Sequence, residues 1–134
     1  YTRDMGIQRT VSGKETIYAR SAVVNAAKAA GIQASDTVFS DLDDMAGFIE
    51  SAIEAKSLGF DGKGLIHPKQ INVLHDIFNP SESEIDYAKQ VIEAAELAEK
   101  EGAGVVALGK KMIDPPVVAR AHQTLEVAKK LGII

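Results

Sequence analysis

Apolar residues recur at a helical period along most of this chain, and short β-prone runs interrupt them. Between residues 15 and 30, Ile17, Val24 and Ala27 share one helical face, and Gly31 suits the left-handed residue past a helix end. Residues 35–40, SDTVFS, predict a short strand. The carboxylates of Asp41, Asp43 and Asp44 then suit the cap and first turn of a helix. That helix turns Met45, Phe48, Ile49, Ala52 and Ile53 inward until Leu58 and Gly59 stop it. Residues 61–68, DGKGLIHP, read as a second short strand. Pro68 fits the first turn of a helix with Ile71, Leu74, Ile77 and Phe78 inward. Ser81 and Glu84 have the capping-box spacing and open a helix with Ile85, Ala88, Val91, Ile92 and Ala95 inward, ending near residues 100–102. Residues 104–108 form another strand-like run, and 109–114 a loop or short strand. Pro115 and Pro116 open a last helix with Val118, Ala121, Leu125 and Ala128 inward.

Strands separated by helices of this length imply right-handed crossovers and a parallel sheet. A parallel sheet needs several strands and cover on both faces. Two good strands and a doubtful third are too few for a closed barrel or a doubly wound sheet. The pattern therefore predicts an incomplete α/β unit that needs further chain to bury its strands.

Composition narrows the picture without changing it. The 134 residues suit one domain, and 46% hydrophobic with 25% charged residues is ordinary for a globular protein. No apolar run approaches the roughly 18 residues that cross a bilayer, and no signal-peptide pattern argues for secretion. The absence of cysteine removes disulfides and thiolate chemistry and fits a cytoplasmic protein. A net charge of −4, spread along the chain, speaks against nucleic-acid binding through a basic field. The chain opens at Tyr1 rather than methionine, so it is expected to be a fragment of a longer protein.

Three places carry candidate chemistry. In DGKGLIHPKQI, Gly62 and Gly64 permit close backbone approach, Lys63 and Lys69 can neutralise phosphate, and His67 can act as acid, base or donor. The plainer reading of the same residues is a βα turn. The Asp41–Asp44 cluster could hold a divalent cation or simply cap its helix. Asp114, in GKKMIDPP, lies among Met112, Ile113 and two prolines, a stiff and rather apolar setting that suits proton transfer. It could equally be the N-cap before Pro115. His75 and His122 lie within helices without metal-ligand spacing and read as bystanders.

The ordered segments YTRDMGIQRT, IYARS, DTVFSDLDDMAGF, AKSLGFDGKGLIHPKQI and GKKMIDPP closely resemble the carboxy-terminal part of the citrate lyase β-subunit family. They are also similar to the related malyl-CoA and citramalyl-CoA lyases. The resemblance implies the carboxy-terminal portion of a (β/α)8 TIM barrel, residues 1–79, followed by a helical extension, residues 80–134, that carries the M-I-D motif. It implies a Mg²⁺-assisted carbon–carbon lyase that cleaves a citryl, malyl or related thioester to a 2-oxo acid and an acetyl thioester. Asp114 would be the catalytic proton donor, reaching into a neighbouring subunit's site. Lys63, His67 and Pro68 would line the pocket for a CoA or acyl-carrier-protein thioester. The Mg²⁺ ligands would lie upstream of Tyr1, so the resemblance assigns no metal ligand here. A cytoplasmic homotrimer, alone or with other citrate lyase subunits, is the implied assembly. A noncatalytic CoA-binding or assembly module of the same family is the competing expectation. A degradation product with exposed apolar strand edges is a third.

Overall fold

Local capping chemistry decides where the helices begin. Asp44 caps helix α3 (Met45–Leu58), its carboxylate accepting the Gly47 N–H at 2.8 Å, while Asp41 accepts the N–H of Asp43 at 3.0 Å. Ser81 and Glu84 form the reciprocal box before α5 (Glu82–Glu101): the Ser81 N–H donates to Glu84 Oε2 at 2.8 Å, and the Glu84 N–H donates back to Ser81 Oγ at 3.2 Å. Gly31 and Gly59 take left-handed φ values of 67° and 95° beyond α2 (Ile17–Ala29) and α3. Because the Ser81 box is exposed and local, Ser81→Ala is expected to cost about 1 kcal/mol in denaturant unfolding.

The computed structural model describes residues 1–101, 106–109 and 111–134. Their contacts divide into two compact units, Tyr1–Phe78 and Asn79–Ile134. The first runs α1 (Thr2–Met5), a 3₁₀ turn (Lys14–Thr16), α2, β1 (Ser35–Asp36), α3, β2 (Gly62–Lys63) and α4 (Lys69–Phe78). β1 and β2 are parallel, with Ser35 opposite Gly62 and Asp36 opposite Lys63. Backbone bonds from Asp61 to Ala34 at 2.8 Å and from Gly64 to Asp36 at 2.9 Å extend the ladder by one step at each end. Both strands are shorter than the runs 35–40 and 61–68. A ladder lasts only while the partner backbone stays in register, and after Gly64 the chain turns towards α4.

Two small cores flank this pair. Val24, Ala27, Ala34, Ala55 and Phe60 make one, and Phe48, Ala52 and Leu74 the other. Phe48 is 1% exposed and meets Phe39 edge-on, with ring centroids 6.3 Å apart. Two expected core positions are corrected. Ile53 and Ile71 are 54% and 40% exposed, while Ala55 and Gln70 occupy the buried positions instead. The small Ala52 and Ala55 let α3 approach its neighbours closely. Gln70 is buried for its polarity, since its side chain accepts the Ile66 N–H at 3.1 Å and donates to the Phe39 carbonyl at 3.3 Å.

The second unit packs α5 against α6 (Pro115–Lys130), with Ala88, Val91, Ile113 and Ala121 at its centre. The run expected at 104–108 is a strand over β3 (Val106–Leu108), while 104 and 105 lie outside the described residues. Instead of extending a parallel sheet among the described residues, β3 pairs antiparallel with β4 (Lys111–Ile113), Ala107 facing Met112. Gly102, expected near the end of α5, is also outside the described residues.

Candidate functional site

The two parallel strands bring opposite charges into the interior of the first unit. Asp36 and Lys63 occupy the same register position on adjacent strands, and their side chains are 2% and 1% exposed. Lys63 Nζ donates to Asp36 Oδ2 at 2.9 Å. Arg20, from α2, grips the same carboxylate with two prongs, Nε to Oδ1 at 3.1 Å and a terminal nitrogen to Oδ2 at 2.9 Å. Its other terminal nitrogen reaches Glu54 on α3. Two cations and two carboxylates thus neutralise one another, which is what a buried charge requires.

Burial on its own would raise the Asp36 carboxyl, but hydrogen bonds from Arg20 and Lys63 outweigh it and hold the group below its ordinary value of 3.8. Burial likewise disfavours the Arg20 cation, and the hydrogen bonds to Asp36 and Glu54 reverse that and raise it. A carboxyl depressed in the folded state stabilises the fold above its unfolded value and loses that contribution as pH falls through the folded one. Stability is therefore expected to hold from neutrality to about pH 4 and then to fall by up to about 1.4 kcal/mol per pH unit from Asp36. Urea midpoints measured between pH 7 and 3 check this; midpoints unchanged at pH 3 would contradict it.

This ionic cluster forms one wall of a cleft of about 850 Å³ in the first unit. The segment after β1 and the loop after α1 add Arg9, Thr10, Thr37 and Asp41, and α2 and α3 add Ala19, Val23, Glu50 and Ser51. Lys63 lines the cleft, but its ammonium is committed to Asp36 rather than held out to solvent. Gly64 is needed for packing: a Cβ there would meet Val38 Cγ1 at 3.0 Å and the Asp36 carbonyl at 3.5 Å. His67 and Pro68 are exposed and stand outside the lining. His67 Nδ1 accepts the Lys69 N–H at 3.1 Å, which leaves Nε2 as the donor of the neutral ring. The Lys69 ammonium donates to the Leu42 carbonyl. His75 and His122 are exposed on α4 and α6.

Asp114 belongs to the second unit. It is the N-cap of α6, Oδ1 accepting the Val117 N–H at 3.1 Å. The apolar setting expected for it is corrected: Asp114 is exposed, Met112 is 68% exposed, and Ile113 turns into the unit's own core at 4%. Only Ile113 of β4 is buried, and Asp114 stands past the strand as the cap of α6, so adjacency in sequence does not enclose the carboxylate.

The Asp36–Lys63–Arg20 cluster escaped the sequence reading. Its partners are 27 and 16 residues apart and meet only through strand pairing. The one available signal was charge at strand positions that the parallel-sheet pattern requires to be buried.

Parallel strands joined through a helix, with a cleft beside the residues that follow them, define an α/β protein of the kind that binds ligands at strand ends. The chain belongs to the HpcH/HpaI aldolase/citrate lyase family, whose pattern matches residues 1–68. It is 48% identical over 133 residues to the citrate lyase subunit beta of Escherichia coli, covering 99% of this chain and 44% of that protein. Human mitochondrial citramalyl-CoA lyase is 38% identical over 123 residues, 90% of this chain and 36% of the relative. The crystal structure of the protein CitE from Mycobacterium tuberculosis, in complex with magnesium, acetoacetate and coenzyme A, matches with a TM-score of 0.77 at 30% identity. That match covers 96% of this chain and 48% of CitE. The chain thus spans less than half the length of these relatives. No helix among the described residues is long and apolar enough to cross a membrane.

The carboxylates present do not fit a magnesium site by themselves. Asp36 is bound to Arg20 and Lys63, Asp41 and Asp44 accept backbone N–H groups, and no three His, Asp or Glu side chains converge among the described residues.

Proposed function

We propose that this chain is part of a carbon–carbon lyase that cleaves a citryl, malyl or related thioester of CoA or an acyl-carrier protein, releasing a 2-oxo acid and an acetyl thioester. Similarity to citrate lyase subunit beta along 99% of the chain, at 48% identity, is the observation that carries this reading. The coenzyme A bound in the similar CitE structure supports a CoA thioester as substrate. In this reading residues 1–79 are the last βα units of a (β/α)8 barrel and residues 80–134 an extension. Mg²⁺ is the cofactor, held by residues outside those described. The working enzyme is a cytoplasmic homotrimer, associated with other citrate lyase subunits.

Each candidate residue then has a task. A base of the complete site takes the proton of the substrate hydroxyl, the hydroxyl carbon becomes the carbonyl of the 2-oxo acid, and the broken C–C bond leaves its electron pair as an enolate on the thioester. Asp114 supplies the proton that converts the enolate to the acetyl methyl group, and in the reverse direction it removes that proton. Its exposure in the second unit suits a carboxyl that becomes enclosed in a neighbouring subunit's site. Lys63 holds the Asp36 end of β1 against β2 and so fixes the cleft wall. His67 offers its Nε2–H to the thioester or nucleotide arm, and Pro68 stiffens the turn that carries it.

The test offers citryl-CoA, malyl-CoA and citramalyl-CoA in parallel to the full-length protein with Mg²⁺, following the 2-oxo acid and acetyl-CoA by chromatography. One thioester is expected to be cleaved with equal yields of both products. Tight CoA binding without any product would replace the enzyme by a noncatalytic module.

A further inference from the structure

We propose that Arg9, at the rim of the first unit's cleft, takes an anionic oxygen group of the thioester substrate; this deepens the lyase reading and rests on it. Arg20 and Lys63 line the cleft but are consumed by Asp36 and Glu54, so neither has charge to spare for a ligand. Arg9 also lines it, is exposed, and forms no ion pair among the described residues. The other charged residues of the lining, such as Asp41, Asp44 and Glu50, are acidic. An anion entering the cleft therefore meets an accessible cation at Arg9 and repulsion elsewhere.

The loop that carries Arg9 is built to hold it there. The next residue, Thr10, is fastened twice to Glu15, its N–H to Oε1 at 2.8 Å and its hydroxyl to Oε2 at 2.7 Å. The Thr10 carbonyl accepts the Gly13 N–H at 3.2 Å, and Thr16 is tied to the Gly13 carbonyl through its hydroxyl at 2.7 Å. Glu15, which receives these bonds, also feels the charge of Arg9, yet no ion pair joins the two among the described residues. A guanidinium mounted on an anchored backbone loses less freedom on binding and presents a planar fork suited to carboxylate or phosphate. Those two anions are the acyl carboxylates and the nucleotide phosphates of a CoA thioester.

The experiment compares the full-length parent with Arg9→Gln and Arg9→Lys, using citryl-CoA and the citryl thioester of N-acetylcysteamine, which has no phosphates. For Arg9→Gln, kcat/KM with citryl-CoA is expected to fall roughly 10–100-fold, mostly in KM, as loss of a charge-assisted hydrogen bond implies. Arg9→Lys should recover part of the loss. An equal fall with both thioesters assigns the contact to an acyl carboxylate; a fall with citryl-CoA alone assigns it to phosphate. KM within two-fold of the parent for both thioesters would overturn the proposal, whether or not the melting temperature changes. Absence of turnover by the parent with citryl-CoA, malyl-CoA and citramalyl-CoA alike would remove the lyase reading first, and this proposal with it.

Discussion

Replacing Asp114 by asparagine in the full-length protein is expected to lower thioester cleavage by roughly 10²–10⁴-fold while leaving the fold intact. Asparagine is nearly as good an N-cap as aspartate, so the bond from the Val117 N–H at 3.1 Å can persist and α6 keeps its first turn. Asp114 is exposed and no ion pair among the described residues depends on its charge. The stability change should therefore stay below about 1 kcal/mol. What asparagine cannot do is deliver a proton to a carbanion or remove one from a methyl group. A cap and a proton donor thus make opposite demands on this substitution. If turnover stays within a few-fold of the parent, Asp114 is only a cap.

The largest effect on stability is expected at Asp36. Asp36→Ala would leave the Lys63 ammonium, 1% exposed, without the carboxylate that accepts from it at 2.9 Å. Arg20 would keep Glu54, so the loss falls chiefly on Lys63. An uncompensated buried cation costs about 3–5 kcal/mol, comparable with much of the stability of a small domain. The double substitution Asp36→Ala with Lys63→Met removes both charges and should recover a large part of that cost. Denaturant unfolding of the parent, the two single variants and the double variant measures the coupling. Additive single effects would mean that the pair contributes nothing by being together.

The helices were legible because their signals are local. The Ser81–Glu84 box, the Asp44 cap and Gly59 each act within four residues, so sequence spacing specifies them directly. Periodicity also located Phe48, Leu74, Val91 and Ala121 in the cores. It misplaced Ile53 and Ile71 because hydrophobicity alone does not say which side of a helix finds a neighbour. Gln70 displaced an isoleucine from the buried position because two backbone groups, the Ile66 N–H and the Phe39 carbonyl, needed partners. The four-residue α1 left no periodic trace. The strands were overextended because their true length depends on a partner elsewhere in the chain.

The candidate site divides the same way. The M-I-D motif and DGKGLIHPKQI attracted notice as local oddities, and the family resemblance gave them roles. Their surroundings were less accessible. The commitment of Lys63 to Asp36 follows from parallel register, and the exposure of Asp114 goes with its place past β4 as the cap of α6. Arg9 drew no attention because an isolated surface arginine has no signature. Its interest arises only when the cleft's other cations are found to be neutralised.

Proton exchange at the acetyl methyl group tests the proposed role of Asp114 most directly. The full-length protein, with Mg²⁺, a 2-oxo acid analogue and acetyl-CoA in deuterated water, should wash protium out of the methyl group, followed by NMR. Asp114→Asn should bind acetyl-CoA with similar affinity yet exchange at least a hundred-fold more slowly, on the order of one proton-transfer catalyst lost. Exchange at the parent rate in a folded Asp114→Asn protein would contradict the account.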